Sequence, residues 1–79
     1  MNDITLTEEQ ITELGWSLYQ LTRNGYVTFE LRSNTDIIMD WHFNDEKVEI
    51  IQHPYLVLFN GYIANIDELK FLMHLLRLK

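Results

Sequence analysis

The sequence predicts a small α+β domain made of an N-terminal helix, a four-stranded antiparallel sheet and a C-terminal helix, in the order α-β-β-β-β-α. Three observations carry that expectation. Two helix-start signatures bracket the chain, Thr7 with Gln10 near the front and Asn65 with Glu68 near the end. Between them, apolar and polar residues alternate with a period of two, the spacing of strands that bury one face. Turn-forming breaks at Ser33-Asn34-Thr35, Asn44-Asp45, His53-Pro54 and Asn60-Gly61 cut that stretch into short lengths.

At the first helix, Thr7 caps, Gln10 reaches back as the partner of the capping box, and Leu6 staples onto Ile11. Ile11, Leu14, Leu18 and Leu21 then recur at i, i+3, i+7 and i+10, and Asn24-Gly25 supplies a left-handed stop. Gly15 interrupts this run. A rival reading ends the helix there and makes 16–22 a strand, but the apolar spacing favours the longer helix. On that helix Trp16 projects away from the core stripe among Glu9, Glu13, Gln20 and Arg23, as an exposed interface anchor would.

Val27, Phe29 and Leu31 alternate with polar neighbours as the first strand, and Ile37, Met39, Trp41 and Phe43 as the second. A third strand spans 48–52. A loop at Ser33-Asn34-Thr35 sets Leu31 against Ile37, Phe29 against Met39 and Val27 against Trp41. A turn centred on Asp45-Glu46 pairs Phe43 with Val48 and Trp41 with Ile50. The fourth strand, 55–59, is apolar at both parities and is expected to be covered on both faces or to sit centrally. Both helices are expected on the face lined by Phe29, Met39, Trp41 and Ile50.

The last helix has more apolar circumference than one small domain can cover. At about 100° per residue, Ile66, Leu69, Leu72, Met73 and Leu76 form one stripe, and Phe71, Leu75 and Leu78 form a second on the far side. Asp67, Lys70, His74 and Arg77 separate them on one flank, Glu68 and Lys79 on the other. The second stripe needs another surface.

Composition narrows the function. Seventy-nine residues make one domain, 1–79, with a narrow stability margin that oligomerisation would widen. With 47% apolar and 13% aromatic residues the chain holds enough to build a core. The absence of cysteine excludes disulfides, thiolate metal sites and cysteine nucleophiles. A net charge of −6, with six scattered Lys and Arg, argues against direct nucleic-acid binding. The opening Met-Asn-Asp-Ile lacks the features of a secretory signal, and no apolar run reaches the roughly 20 residues of a membrane helix, so a cytoplasmic location is expected.

The expected register also aligns an outer face, with Tyr26, His42 and Glu49 in one row beside Asp40. Such residue types can do acid–base work, yet polar cross-strand pairs are also what a solvated sheet face selects for stability. The same face offers His42, Asp40 and Glu49 or His53 to a metal, without a dense ligand motif. It also carries an expected apolar patch of Ile38, Ile51, Leu56 and Leu58. No catalytic residue, metal or cofactor is assigned.

The sequence therefore reads as a non-catalytic protein–protein interaction domain, a homodimer formed through Phe71, Leu75 and Leu78 with help from Trp16 or Tyr62. An alternative is a small acidic inhibitor of a host protein, of phage or mobile-element type, acting through Trp16 and the acidic Asp3, Glu8, Glu9 and Glu13, with mimicry of nucleic acid as one route. A minor alternative is a small enzyme using the Tyr26, His42 and Glu49 row.

Overall fold

Thr7 opens the first helix through a reciprocal box: its Oγ1 accepts from the Gln10 N–H at 3.2 Å, and Gln10 Oε1 accepts from the Thr7 N–H at 3.1 Å. The computed structural model describes residues 5–21 and 25–78. In chain order these form α1 (Glu8–Glu13), β1 (Trp16–Leu21), β2 (Val27–Leu31), β3 (Asn34–His42), β4 (Lys47–Gln52), β5 (Leu56–Tyr62) and α2 (Ile66–Leu75). The α+β class and the flanking helices are as the sequence predicts; the sheet has five strands rather than four.

The extra strand comes from the front of the chain. Gly15 takes φ 112°, a left-handed conformation that only glycine adopts at little cost, and it stops α1 at Glu13. The chain leaves the helix there and Trp16–Leu21 pairs antiparallel with β2. Arg32 fixes this corner. Its backbone N–H donates to Gly15 O at 2.9 Å, while its guanidinium donates to Thr12 O at 2.8 Å and Trp16 O at 2.7 Å. A cation at the carbonyl end of a helix is favourably placed against the helix dipole. The stop expected at Asn24-Gly25 falls partly outside the described residues, as do Asp3, Arg23 and Lys79; Gly25 lies in the β1–β2 connection at φ 85°.

The sheet is a meander in the order β1-β2-β3-β4-β5, each strand antiparallel to the next. Phe29 meets Met39 and Val27 meets Trp41, as the alternation requires. Two details of register differ from expectation. Leu31 pairs with Asn34 across a turn at Arg32-Ser33, and β3 takes up the additional residues before Ile38 pairs with Glu30. On the other side, Trp41 pairs with Val48 and Met39 with Ile50, two residues from the expected alignment, because Phe43 belongs to a four-residue turn. Glu46 closes that turn at φ 53°, and its carbonyl accepts from Ile63 N–H at 2.8 Å.

The core lies between one face of the sheet and the two helices. Trp16, Phe29, Leu31, Ile37, Met39, Trp41, Val48 and Ile50 join Leu6 and Ile11 from the front and Ile63, Leu69, Leu72 and Met73 from the back in one buried cluster. Leu6 N–H donates to Ala64 O at 3.1 Å and ties the two ends together.

The strand expected to be covered on both faces or central is an edge with exposed Leu56 and Val57. β5 has β4 as its sole neighbour in the sheet order. A bulge between its pairings with Ile50 and Ile51 leaves Leu58 as an extra residue, so Val57 faces Ile51 on the outer side while Leu58 and Phe59 pack against the core. That bulge explains why the segment is apolar at both parities. The outer row is thus Ile38, Ile51 and Val57, without the expected Leu58, and Leu56 pairs with Gln52.

Candidate interaction surface

Helix α2 begins where Asn65 in extended conformation accepts from the Glu68 N–H at 3.0 Å. Glu68 Oε1 accepts in return from Ala64 N–H at 2.7 Å, one residue ahead of the cap. The Asn65 bond satisfies one of the donors that every helix start leaves open, the Glu68 bond fixes the chain just ahead of it, and Asp67 and Glu68 favour the dipole there. Leu69, Leu72 and Met73 face inward and are buried, with Ile66 and Leu76 partly buried beside them. Phe71 and Leu75, four residues apart and so on one face, are 63% and 60% exposed.

Leu78 does not complete that outer stripe. The helix ends at Leu75, and Arg77 takes a left-handed φ of 61°. Arg77 N–H then donates to His74 O at 3.1 Å and Leu78 N–H to Met73 O at 2.9 Å, the two bonds of a Schellman turn. In that turn the residue after the left-handed position packs back on the helix, and Leu78 lies against the core. The expected stripe assumed that helical geometry ran on to the last residues.

Trp16 is not a surface anchor either. Once Gly15 has ended α1, Trp16 is the first residue of β1, opposite Leu31, and is fully buried. Its indole Nε1 donates to Met73 Sδ at 3.3 Å. The inhibitor reading thereby loses the side chain on which its docking relied. Phe71 and Leu75 remain together; Trp16 and Leu78 are elsewhere, in the core and against it.

The outer face of the sheet holds no Tyr26, His42 and Glu49 row. The two-residue difference in the β3–β4 register sets His42 against Lys47 and Glu49 against Asp40. Tyr26 and His42 do meet, with ring centroids 4.8 Å apart, and Thr28 Oγ1 donates to Asp40 Oδ1 at 2.8 Å. The residue opposite the imidazole on β4 is thus Lys47, and not the carboxylate that was expected to orient it. Among the described residues no group of three or more His, Asp or Glu is placed to hold a metal ion.

At β5 the sequence reading singled out Leu56 and Tyr62 but missed the exposure of Tyr55 and Val57. Leu56, Val57 and Tyr62 are all exposed, and Tyr55 in the preceding turn with them. The signal was present in the strand itself: Leu-Val-Leu-Phe-Asn-Gly-Tyr carries no charge, and a bulge lets apolar residues face both ways.

Comparison with protein-family models, with curated proteins and with solved structures finds no match for the chain. Among the described residues, no helix is long and apolar enough to cross a membrane.

Proposed function

We propose that this domain is a non-catalytic protein-interaction module that self-associates through the outer face of α2. One observation carries the reading: Phe71 and Leu75 stand exposed on the side of a helix whose opposite side is already sealed against the sheet. Two such side chains from each of two copies would contribute about 4 to 7 kcal/mol when their exposed fraction is buried. Association itself costs about 4 kcal/mol or more. The balance describes a weak, concentration-dependent dimer, to which the charges flanking the patch add. A cytoplasmic setting goes with this reading, and the net charge of −6 speaks against direct contact with nucleic acid.

The experiment is sedimentation equilibrium on the full chain and on a Phe71→Glu, Leu75→Glu variant. Self-association in the first and a folded monomer in the second support the proposal. Equal association in both refutes it.

A further inference from the structure

β5 closes one side of the sheet, and among the described residues β4 is the one strand it pairs with. Its far side therefore presents a row of backbone N–H and C=O groups, a template that an extended backbone fits. Folded chains commonly guard such an edge with charge, with proline or by keeping it short. β5 runs for seven residues, and Pro54 stands before it. No Asp, Glu, Lys or Arg lies between Glu49 and Asp67, in a chain that is 23% charged. Leu56, Val57 and Tyr62 are exposed along the strand. The opposite edge is better guarded: in β1 a bulge separates Leu18 from Gln20, and the Arg32 guanidinium takes up Trp16 O and Ser17 Oγ at its start.

These features set the chemistry of an occupant. Backbone pairing calls for an extended segment without proline at the paired positions. Leu56, Val57 and Tyr62 favour apolar or aromatic side chains at every second residue of it. A net charge of −6 disfavours an acidic segment, and an edge without carboxylates gives a basic one little to pair with. A second copy fits less well. The bulge at Leu58 increases the local twist, which a loose segment follows at little cost, whereas a second sheet bulged at the same residue would have to match it.

We infer that β5 is a docking edge for an extended, uncharged apolar segment of a partner protein, which joins the sheet as a further strand. This goes beyond self-association through α2 and does not rest on it, since the two surfaces belong to different elements.

The test is selection of a displayed library of random short peptides on the full chain. The inference expects enriched peptides with apolar or aromatic residues at alternate positions and without Pro, Asp or Glu. Their affinity should fall about tenfold or more on Val57→Lys, which places the usual guard on the exposed edge, and stay unchanged on Phe71→Glu with Leu75→Glu. Circular dichroism checks the fold of each variant. Asn60→Lys, exposed opposite Glu49, serves as a second guard should Val57→Lys fail to fold. Amide exchange adds a backbone readout: bound peptide should slow alternate residues of β5, because every second N–H of a strand points to its free edge. No enrichment, or peptides that bind the guarded variants as tightly as wild type, overturns the inference. So do peptides with helical apolar spacing that lose binding on Phe71→Glu with Leu75→Glu. Self-association that Val57→Lys abolishes would give the edge to a second copy and overturn it as well.

Discussion

Trp16 and Met73, 57 residues apart, join the first strand to the last helix through an indole N–H directed at a thioether sulfur, 3.3 Å away. A buried indole has one donor and needs one acceptor, and methionine sulfur is a weak acceptor that also packs well against rings. The contact gives a tryptophan that could have served as a surface anchor a structural task. It also orients α2, since Met73 lies on the inward stripe and Phe71 and Leu75 consequently face out.

Replacing Trp16 tests that task. Trp16→Ala is expected to cost about 3 to 5 kcal/mol, a large share of the roughly 5 to 15 kcal/mol that holds a native domain together. Trp16→Phe keeps the ring volume partly filled and should cost about 1 to 2 kcal/mol. Urea denaturation followed by far-ultraviolet circular dichroism measures both; an unchanged midpoint for Trp16→Ala would place this side chain outside the core.

Arg32 should be as important to the α1–β1 corner as its exposure is misleading. Its guanidinium bridges Thr12 O and Trp16 O, holding the end of α1 against the start of β1. Arg32→Met retains the aliphatic stem and removes the bonds, with an expected loss of about 1 to 2 kcal/mol. Hydrogen exchange should show faster opening at Ile11 and Leu14 than at Ile50. Uniform exchange changes across the sheet would contradict a local role.

Glu46 occupies a left-handed position at φ 53°, its side chain makes no hydrogen bond among the described residues, and its carbonyl accepts from the Ile63 N–H. Glu46→Gly should therefore stabilise the domain by about 0.5 to 1 kcal/mol, through relief of the left-handed cost. Thermal unfolding checks the sign.

Gly61 sits beneath Phe59 on the same strand. A Cβ at position 61 would lie 2.9 Å from the tip of the Phe59 ring, so the ring must shift from its place against the core. Gly61→Ala is expected to cost about 1 kcal/mol, and Gly61→Val more, as measured by urea denaturation. Combining Gly61→Ala with Phe59→Leu should recover part of the loss, since the shorter side chain vacates the contact.

These residues also show where the sequence was legible and where it was not. Capping signatures at Thr7 and Asn65 located both helix starts, since side-chain bonds to open N–H groups are local. Period-two alternation in β2 and β3 placed Phe29 on Met39 and Val27 on Trp41. The misreadings share a physical cause in residues that break the period. A bulge between Leu18 and Gln20 pairs Leu18 with Phe29 and Leu21 with Val27, so positions three apart on β1 meet positions two apart on β2, a spacing that imitates a helix. The bulge at Leu58 similarly mixes the parities of β5. Gly15 and Arg77 redirect the chain through single left-handed conformations, which removes Trp16 and Leu78 from the faces that uninterrupted helices would have given them. Of the expected surface, Phe71 and Leu75 were legible because they sit in the middle of a helix, away from any such break.

The measurement that bears most directly on self-association through α2 is sedimentation equilibrium of the full chain from about 0.05 to 2 mM, a range that brackets binding free energies near −4 kcal/mol. The account predicts a monomer–dimer equilibrium that Phe71→Glu with Leu75→Glu shifts wholly to folded monomer. A wild-type chain that stays monomeric throughout, or a dimer indifferent to both substitutions, would contradict it.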